Sequence, residues 1–215
     1  MIYLFIPYYH EDSDGFRKSL DKQTVPFKTI RRNRKRDKIY WSRACNDFYK
    51  DLKKYRGIKD DDVICIMNND ISFPPTFFEE GQKVKEGRVL VPEGININWK
   101  FKQFYPHRNP HLSTNAFAGR AFFITAKDFK NSKGFSRLLP HYLSDYEFSI
   151  RVLKKCKPIL MKQKITHDNH PKEASTFSVL NPGNPIFWTI FLLKCGLNKY
   201  FFINLVKIWA SGLME

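Results

Sequence analysis

Cysteine pairs and glycine-rich phosphate loops, which mark several common kinds of binding site, are missing from this sequence. Its four cysteines form no Cys-x-x-Cys pair; they are Cys45, Cys65, Cys156 and Cys195. Neither a zinc site nor a disulfide framework is therefore indicated, and we expect a reducing compartment. No GxGxxG or GxxxxGK(S/T) pattern occurs, so a bound nucleotide would have to be held in another way.

Long apolar runs are also missing. The longest uncharged apolar stretch, 186–193, is too short to cross a bilayer core of roughly 30 Å. The opening MIYLFIPYYHED has no basic region and no small-residue cleavage site. It therefore predicts a buried strand rather than a signal peptide.

Acidic residues are outnumbered, and the formal net charge is +16. Such an excess attracts polyanions, which include nucleic acid, anionic lipid and phosphorylated substrates. The densest basic segment, 28–38, has one acid and no interleaved aromatic residue. It is either a solvated loop or a lip around a phosphate-bearing ligand or membrane surface. Because no recognised nucleic-acid module is present, we expect no nucleic-acid partner.

The first 92 residues alternate strand and helix patterns, which predicts an α/β fold with a mostly parallel, Rossmann-like sheet flanked by helices. Apolar runs predict strands at 2–7, 27–30, 62–67 and 88–92, and periodic apolar residues predict helices at 13–23, 40–55 and 74–87. The third strand is apolar throughout, which is typical of a strand buried on both faces.

The remainder of the chain is less regular. Segment 97–115 shows no regular element, whereas a strand and short helix follow in GRAFFITAKDF and a helix is predicted at 143–156. We place a domain boundary at 180 and interpret 181–215 as an amphipathic helical tail. Its apolar residues are interrupted by lysines, which is typical of an interfacial membrane anchor. The alternative is a pair of helices packed on the domain or on a partner subunit.

Three groups of polar residues are candidate site residues. Asn68, Asn69 and Asp70 directly follow the third strand, and they indicate either a turn or a metal site at the carboxyl end of that strand. Asp145 opens a helix in which Ser144 and Glu147 match a capping box, so it is either a helix-terminus residue or a general base. His167 follows a strand, and it is either a solvated loop residue or a ligand.

In order and spacing, these segments resemble a family-2-type inverting glycosyltransferase of the GT-A fold over residues 1–170. IYLFIPYYHED resembles the family's first strand, LDKQTVPFKTI the next helix and strand, and WSRACN the helix with an Arg and an Asn near the nucleotide. MNNDISF resembles the DxD-type metal motif in the Asn-Asn-Asp form of rhamnosyltransferase-like members. AFAGRAFFITAKDF, LSDYEFSIR and THDNH resemble the glycine-containing strand beside the donor sugar, the helix with the catalytic Asp, and a segment with a metal-binding His.

The resemblance implies transfer, with inversion, of a sugar from a nucleotide-sugar donor to a hydroxyl of a glycan or lipid-linked acceptor. Asp145 would be the catalytic base, and Asp70 and His167 would bind Mg²⁺ or Mn²⁺. The aromatic residues of 99–105 and the pair His141 and Tyr142 would form an acceptor wall. The residues expected at the donor are Pro7, Tyr8, Glu11, Asn33, Arg43, Asn46, Asn68, Asn69 and Gly119.

The same resemblance, together with the basic charge and the tail, implies a role in bacterial surface polysaccharide synthesis, such as lipopolysaccharide or capsule. We then expect a cytoplasmic protein at the inner face of the membrane, in peripheral contact with anionic lipid, with homodimerisation as a further option.

The sequence departs from the family pattern in two places. The second strand ends in Arg31, Arg32 and Asn33 rather than in an Asp that reads the base, and Asn68 replaces the first carboxylate of the metal motif. A nucleotidyltransferase would need a glycine-rich basic loop after the first strand, which PYYHEDSDG does not supply. The alternative function is a non-catalytic GT-A-like protein or a basic module that binds polyanions or membranes.

Overall fold

A six-stranded mixed sheet forms the centre of the computed structural model, which describes residues 1–54, 57–99, 103–139, 143–168, 185–195 and 201–212. Its strands are β1 (Ile2–Tyr8), β2 (Phe27–Asn33), β3 (Val63–Met67), β5 (Arg88–Val91), β9 (Ala121–Thr125) and β10 (Lys157–Leu160). Their order is β10-β5-β9-β3-β1-β2. β9 runs antiparallel to β3 and β5, whereas the other neighbours are parallel. The predicted α/β fold with a mostly parallel sheet is confirmed.

Helices cover both faces of this sheet and explain why β3 is apolar at every position. Ile64 and Ile66 belong to one buried core, while Val63, Cys65 and Met67 belong to the core on the opposite face. The first core includes residues of α2 (Trp41–Lys54), α4 (Ala126–Asn131) and α5 (Ser144–Leu153). The second includes residues of α1 (Asp14–Asp21) and α3 (Phe77–Gly81). Both faces of β3 are therefore shielded from water, as a continuous apolar strand requires.

The second strand is longer than its apolar residues predict. β2 continues through Arg31 and Arg32 to Asn33 because the chain pairs in parallel with β1 as far as Tyr8. Arg31 makes a bidentate ion pair with Asp12, at 2.9 and 2.5 Å. The start of the basic segment is thus part of the sheet edge rather than a solvated loop.

The rest of the basic segment is held by internal contacts. Arg34 is buried, and its Nε donates to the Pro7 carbonyl oxygen at 3.0 Å. Arg32 and Arg36 both form ion pairs with Asp37. These arginines therefore form ion pairs and hydrogen bonds within the protein. Such contacts compete with the binding of a polyanion by this segment.

Helix α3 is much shorter than the predicted helix at 74–87. It ends at Gly81, where a Cβ would lie 2.3 Å from the Phe123 ring. Glycine is needed for this close approach to β9, and it is a poor helix former. The chain continues through turns with hydrogen bonds from Lys83 to Glu80 and from Val84 to Gly81.

A second sheet lies in the segment for which no regular element was predicted. β6 (Gly94–Asn98) pairs antiparallel with both β7 (Gln103–His107) and β8 (Ala116–Phe117). The alternation of buried Ile95 and Ile97 with Asn96 is the period-two signal of a strand. β7 is an edge strand, where Pro106 is tolerated because proline lacks a backbone N–H to donate.

The start of α5 differs from the predicted capping box. Leu143, with φ 63°, is the N-cap residue and makes no side-chain capping bond. Ser144 is instead the first helical residue, and the Glu147 carboxylate pairs with Arg151 at 2.9 and 3.0 Å. The capping box is therefore wrong, because the Glu147 carboxylate is held by Arg151, one turn further along the helix.

The tail forms two helices, α6 (Pro185–Cys195) and α7 (Phe201–Gly212). Phe191 of α6 is fully buried in a cluster with Leu139 and Leu143, and Leu192 packs with Ile208 of α7. One side of the tail therefore packs on the domain, as the alternative interpretation predicted. No described helix is long and apolar enough to cross a membrane. The proposed boundary at 180 and the helix end at Tyr55 lie outside the described residues.

We predict that Arg151→Ala lowers the free energy of unfolding by about 3–5 kcal/mol, because it leaves the buried Glu147 carboxylate without its counter-ion. Glu147 is 4% exposed, and Arg151 also donates to the carbonyl oxygens of Ser132 and Gly134. Denaturant unfolding measures the loss, with Arg137→Ala on the surface as the control. Equal effects of the two substitutions would show that the ion pair does not stabilise the fold.

Candidate active site

A cleft of about 390 Å³ opens where the carboxyl end of β3 meets the amino end of β9. The antiparallel pairing of Met67 with Ala121 brings these ends together, and the Asn68 N–H donates to the Arg120 carbonyl at 2.9 Å. Helices α2, α5 and α6 complete the walls. The lining residues are Trp41, Asn68, Phe104, Ala118, Gly119, Arg120, Leu143, Asp145, Tyr146 and Trp188.

Asp145 is the one acidic residue among the described residues that line the cleft, and two backbone groups fix its carboxylate. Oδ2 accepts a hydrogen bond from the Gly119 N–H at 2.9 Å, and Oδ1 accepts one from the Tyr146 N–H at 2.9 Å. Each oxygen keeps a second lone pair. The carboxylate is thus oriented by the protein and still able to accept a proton.

The surroundings of Asp145 alter its acidity. Burial raises the pKa of Asp145 above the ordinary value of 3.8, although hydrogen bonds from the Gly119 and Tyr146 backbone act in the opposite direction. Burial and the neighbouring Asp145 charge raise the pKa of Tyr146 to about 12. The site therefore combines a carboxylate of increased basicity with a phenol that stays protonated at neutral pH.

Gly119 is required by close packing at the floor of the cleft. A Cβ at this position would lie 3.0 Å from the Asp145 Cβ and 3.0 Å from two ring carbons of Trp41. Any larger side chain would push against the carboxylate or the indole. The glycine in AFAGRAFF therefore lines the cleft beside Asp145.

The two asparagines after β3 have different positions. Asn68 lines the cleft, and its Oδ1 accepts a hydrogen bond from Trp41 Nε1 at 3.2 Å. Asn69 is buried and donates to the His10 carbonyl at 2.8 Å and to Asp12 at 3.1 Å. Asn68 is therefore placed to meet a ligand, whereas Asn69 fixes the loop after β1.

Asp70 and His167 are brought together by a two-stranded sheet. β4 (Ile71–Ser72) pairs antiparallel with β11 (Thr166–His167), and His167 Nε2 lies 3.3 Å from Asp70 Oδ2. The other oxygen, Asp70 Oδ1, is buried without a hydrogen-bond partner in the described part of the chain. Within that part, no group of three or more His, Cys, Asp or Glu residues could hold a metal.

The position of His167 is set by its neighbour Asp168. The Asp168 N–H donates to the Asp70 carbonyl at 2.7 Å, and its carboxylate accepts hydrogen bonds from the hydroxyls of Ser13 and Ser72. These contacts attach β11 to both β4 and the start of α1. His167 Nδ1 lies 3.1 Å from the Asp168 carbonyl oxygen, which leaves Nε2 as the nitrogen that faces Asp70.

Other predicted donor residues lie at the carboxyl ends of β1 and β2. Tyr8 pairs in register with Asn33, and Asn33 Oδ1 accepts from the Arg36 N–H at 2.9 Å. The carbonyl oxygens of Pro7 and Tyr8 both accept hydrogen bonds from Arg34. Glu11 is exposed in the loop that follows. These residues form the rim of the same sheet edge, outside the lining of the cleft.

Two residues of the WSRACN helix are engaged by the protein itself. Asn46 is buried, and its amide makes two hydrogen bonds, at 3.0 and 2.8 Å, to the backbone of Phe135. Arg43 is exposed and pairs with Asp47 at 3.2 Å. Packing therefore accounts for Asn46, and an ion pair along the helix accounts for the position of Arg43.

Sequence reasoning did not assign several aromatic residues to the site. Trp41 and Tyr146 belong to the helices predicted at 40–55 and 143–156, and Trp188 belongs to the tail. All three side chains nevertheless line the cleft. The Phe104 ring centroid lies 4.6 Å from that of Tyr146 and 5.7 Å from that of Trp188. Of the expected acceptor wall, Phe104 lines the cleft, whereas Phe101, His141 and Tyr142 lie outside the described residues.

Comparisons with solved structures identify the architecture. GalNAc-T7, determined with UDP, GalNAc and Mn²⁺, matches with a TM-score of 0.61 and 10% sequence identity over 88% of this chain and 47% of that chain. The catalytic domain of Drosophila beta1,4-galactosyltransferase 7, in complex with xylobiose, matches with a TM-score of 0.53 and 14% identity. That match covers 79% of this chain and 71% of the other.

The chain therefore has the GT-A fold of these glycosyltransferases, and it spans about half the length of the GalNAc-T7 chain. No protein-family model matches the sequence, and no curated protein does. At such low identities the likeness concerns the fold alone.

The raised pKa of Asp145 predicts a pH-dependent loss of stability. Because the native state holds this proton more tightly than the unfolded chain, the contribution of Asp145 to the free energy of unfolding should fall as pH rises from 3.8 through the native pKa. Asp145→Asn removes that titration, so the stability of the wild type relative to the variant should decline over this interval. Denaturant unfolding at several pH values measures the difference in free energy of unfolding between the wild type and the variant. A rise of this difference with pH would mean that the backbone hydrogen bonds affect the pKa of Asp145 more than burial does.

Proposed function

We propose that this protein is an inverting glycosyltransferase that uses a nucleotide-sugar donor, with Asp145 as its catalytic base. The observation that carries the proposal is a single carboxylate, fixed by two backbone N–H groups, inside a cleft at the functional edge of a GT-A sheet. In open α/β sheets, ligands bind beside the carboxyl ends of the strands. The two solved structures support this class of enzyme. One was determined with UDP and GalNAc, and the other is named as a galactosyltransferase.

The reaction needs one proton transfer and one displacement. An acceptor hydroxyl in the cleft gives its proton to an Asp145 oxygen, and the acceptor oxygen forms a bond to the anomeric carbon of the donor sugar. The bond from that carbon to the leaving phosphate oxygen breaks on the opposite face, and the nucleoside diphosphate leaves with the electron pair. The configuration at the anomeric carbon is inverted. The raised pKa of Asp145 makes its carboxylate a better proton acceptor than an ordinary Asp.

Asp70 and His167 fit a divalent ion, Mg²⁺ or Mn²⁺. Mg²⁺ takes one or two protein carboxylates and completes its sphere with waters and phosphate oxygens. The separation of 3.3 Å between Asp70 Oδ2 and His167 Nε2 is close to the roughly 3 Å expected between neighbouring ligands of an octahedral ion. If the Asp70 carboxylate held the ion through both oxygens, the ion would also give the buried Asp70 Oδ1 a partner. When bound, it supplies Lewis-acid stabilisation of the leaving diphosphate.

The rim formed by Tyr8, Glu11 and Asn33 is proposed to hold the nucleoside, and Arg120 in the cleft lining to meet the donor phosphates. Aromatic residues on the opposite wall, Phe104 and Trp188, are proposed to hold the acceptor. The proposed biological role follows the family resemblance of the sequence. It is bacterial lipopolysaccharide or capsule synthesis, inside the cell at the inner face of the membrane. The alternative, a non-catalytic GT-A-like protein, is favoured by Asn68 in place of a carboxylate.

Asp145→Asn should lower sugar transfer by at least about 100-fold, because the site then lacks its general base. Release of nucleoside diphosphate from a panel of nucleotide sugars measures turnover, with water accepting the sugar where no better acceptor is present. In the wild type, the rate should rise with pH through the raised pKa of Asp145. The exposed residue Asp61 supplies the control variant, Asp61→Asn. Full turnover by Asp145→Asn would mean that this residue only shapes the start of α5.

Asp70→Asn and His167→Ala should each abolish the metal-dependent part of nucleotide binding. Thermal unfolding with UDP, GDP, CDP or dTDP, with Mn²⁺ or with chelator, measures that part. A ligand at 100 times its Kd stabilises the native state by about 2.7 kcal/mol.

Asp61→Asn and His111→Ala, both of exposed residues, are the matched controls and should keep the full shift. A shift that survives in chelator would exclude a metal at this site. Absence of a shift with every nucleotide would favour the non-catalytic alternative.

A further inference from the structure

Exposed apolar side chains are concentrated on the tail helices. Ten large hydrophobic residues are exposed among the described residues, and six of them belong to α6 and α7. These six are Ile186, Leu193, Phe202, Ile203, Val206 and Trp209, with exposed fractions from 45% to 73%. The other four are scattered at Met1, Tyr105, Leu112 and Leu138. Clustered exposure of this kind marks an interaction surface, whereas scattered residues do not.

The exposed residues of α7 lie on the side opposite to its packing face. Asn204 and Ile208, four residues apart, are each 1% exposed and face the domain. Val206 and Trp209, three residues apart, are 69% and 45% exposed and face outward. The helix is therefore apolar on both sides, although only one side packs on the domain. We call the exposed residues of α6 and α7 the outward face.

The charged side chains that the two tail helices carry themselves are all positive. No Asp or Glu occurs between Ala174 and Met214, whereas Lys194 and Lys207 lie within the two helices. Lys194 and Lys207 are both exposed. An apolar surface with lysines and a tryptophan but no acids matches the composition of the anionic headgroup layer.

We propose that the outward face of α6 and α7 is a docking surface for an anionic lipid bilayer. The apolar side chains enter the boundary between headgroups and acyl chains, and the lysines contact the lipid phosphates. The helices lie on the membrane rather than across it, in keeping with their lengths of 11 and 12 residues. The net charge of +16 on the whole chain adds a long-range attraction between the protein and the anionic bilayer.

If this face docks on a bilayer, the class of acceptor molecule follows from the position of α6. This inference rests on the proposed glycosyltransferase function. Trp188, on α6, lines the cleft that holds Asp145, while Leu193, one and a half turns further along the same helix, is 59% exposed. A single helix thus connects the membrane-facing surface to the catalytic cleft. The acceptor hydroxyl therefore belongs to a lipid-linked molecule, which reaches the cleft from the headgroup layer.

A second copy of this chain is a poorer occupant of the same surface. In a two-fold dimer each residue patch faces itself or a neighbouring patch of the same kind. The lysines of the two copies would then approach one another without acids in the helices to offset them. Anionic lipid avoids this repulsion because it places negative charge beside the lysines.

Co-sedimentation of the full-length chain with vesicles tests the docking surface. Binding should be stronger to phosphatidylcholine vesicles containing phosphatidylglycerol than to phosphatidylcholine alone, and it should weaken as salt is raised. The triple variant Ile203→Ser, Val206→Ser and Trp209→Ser should lower the partition coefficient at least tenfold. Lys194→Gln should lower it about fivefold, the usual effect of one basic residue near an anionic surface.

The control is the double variant Leu112→Ser and Leu138→Ser, which removes exposed apolar residues elsewhere and should bind vesicles like the wild type. Equal binding by the triple variant would overturn the proposal, as would wild-type binding that ignores lipid charge. Light scattering after size exclusion measures the oligomeric state of the same proteins. A dimer that the triple variant dissociates, without vesicle binding by the wild type, would assign the face to a subunit interface instead.

Labelled nucleotide sugar added to membranes of the source organism tests the acceptor class. Label should enter material extractable into chloroform and methanol, and the triple variant should transfer less while keeping the wild-type thermal shift with nucleotide. Label found only in water-soluble glycan, at equal rates for both proteins, would exclude a lipid-linked acceptor. Vesicle binding without any nucleotide shift would leave the docking surface intact and refute the glycosyltransferase function.

Discussion

The antiparallel pairing of β3 with β9 is the constraint on which the candidate site depends. It places the residues that leave β3 beside the residues that enter β9, so that Asn68 and Arg120 are joined by a backbone hydrogen bond. Gly119 then reaches Asp145 with its N–H group. The Asp145 carboxylate and the loop that carries Asp70, separated along the chain by more than seventy residues, become parts of one edge of the sheet.

The site is built from groups that hold each other in place. Asp145 is oriented by backbone N–H groups, which cannot rotate away as side chains do, and Gly119 leaves room for the carboxylate and for the Trp41 ring. Asp168 attaches β11 to β4 and thereby fixes His167 beside Asp70. Such preorganisation is what an active site needs, because little has to rearrange when charge develops in the reaction.

The first tail helix, α6, packs on the domain from which the sequence analysis separates it. Phe191 and Trp188 pack against Phe104 of the small sheet, so α6 closes one wall of the cleft and is a structural part of the GT-A domain. The opposite sides of α6 and α7 carry the exposed apolar residues. Helix α6 therefore contributes both to the lining of the cleft and to the exposed apolar surface of the tail.

Local patterns in the sequence determined the order of the strands and helices in the first 92 residues, the double-sided burial of β3, and the identity of Asp70, Asp145 and His167 as candidates, whereas Gly119 was a candidate through the family resemblance. These features depend on residue type and spacing over short stretches, which is where sequence patterns are informative. The extension of β2, the early end of α3 at Gly81 and the pairing of β6 with β7 and β8 were decided by tertiary contacts. So were the engagement of Asn46 by Phe135 and the entry of Trp188 into the cleft. In each case the partner is distant along the chain or competes with a local alternative, and only the folded arrangement shows which contact is made.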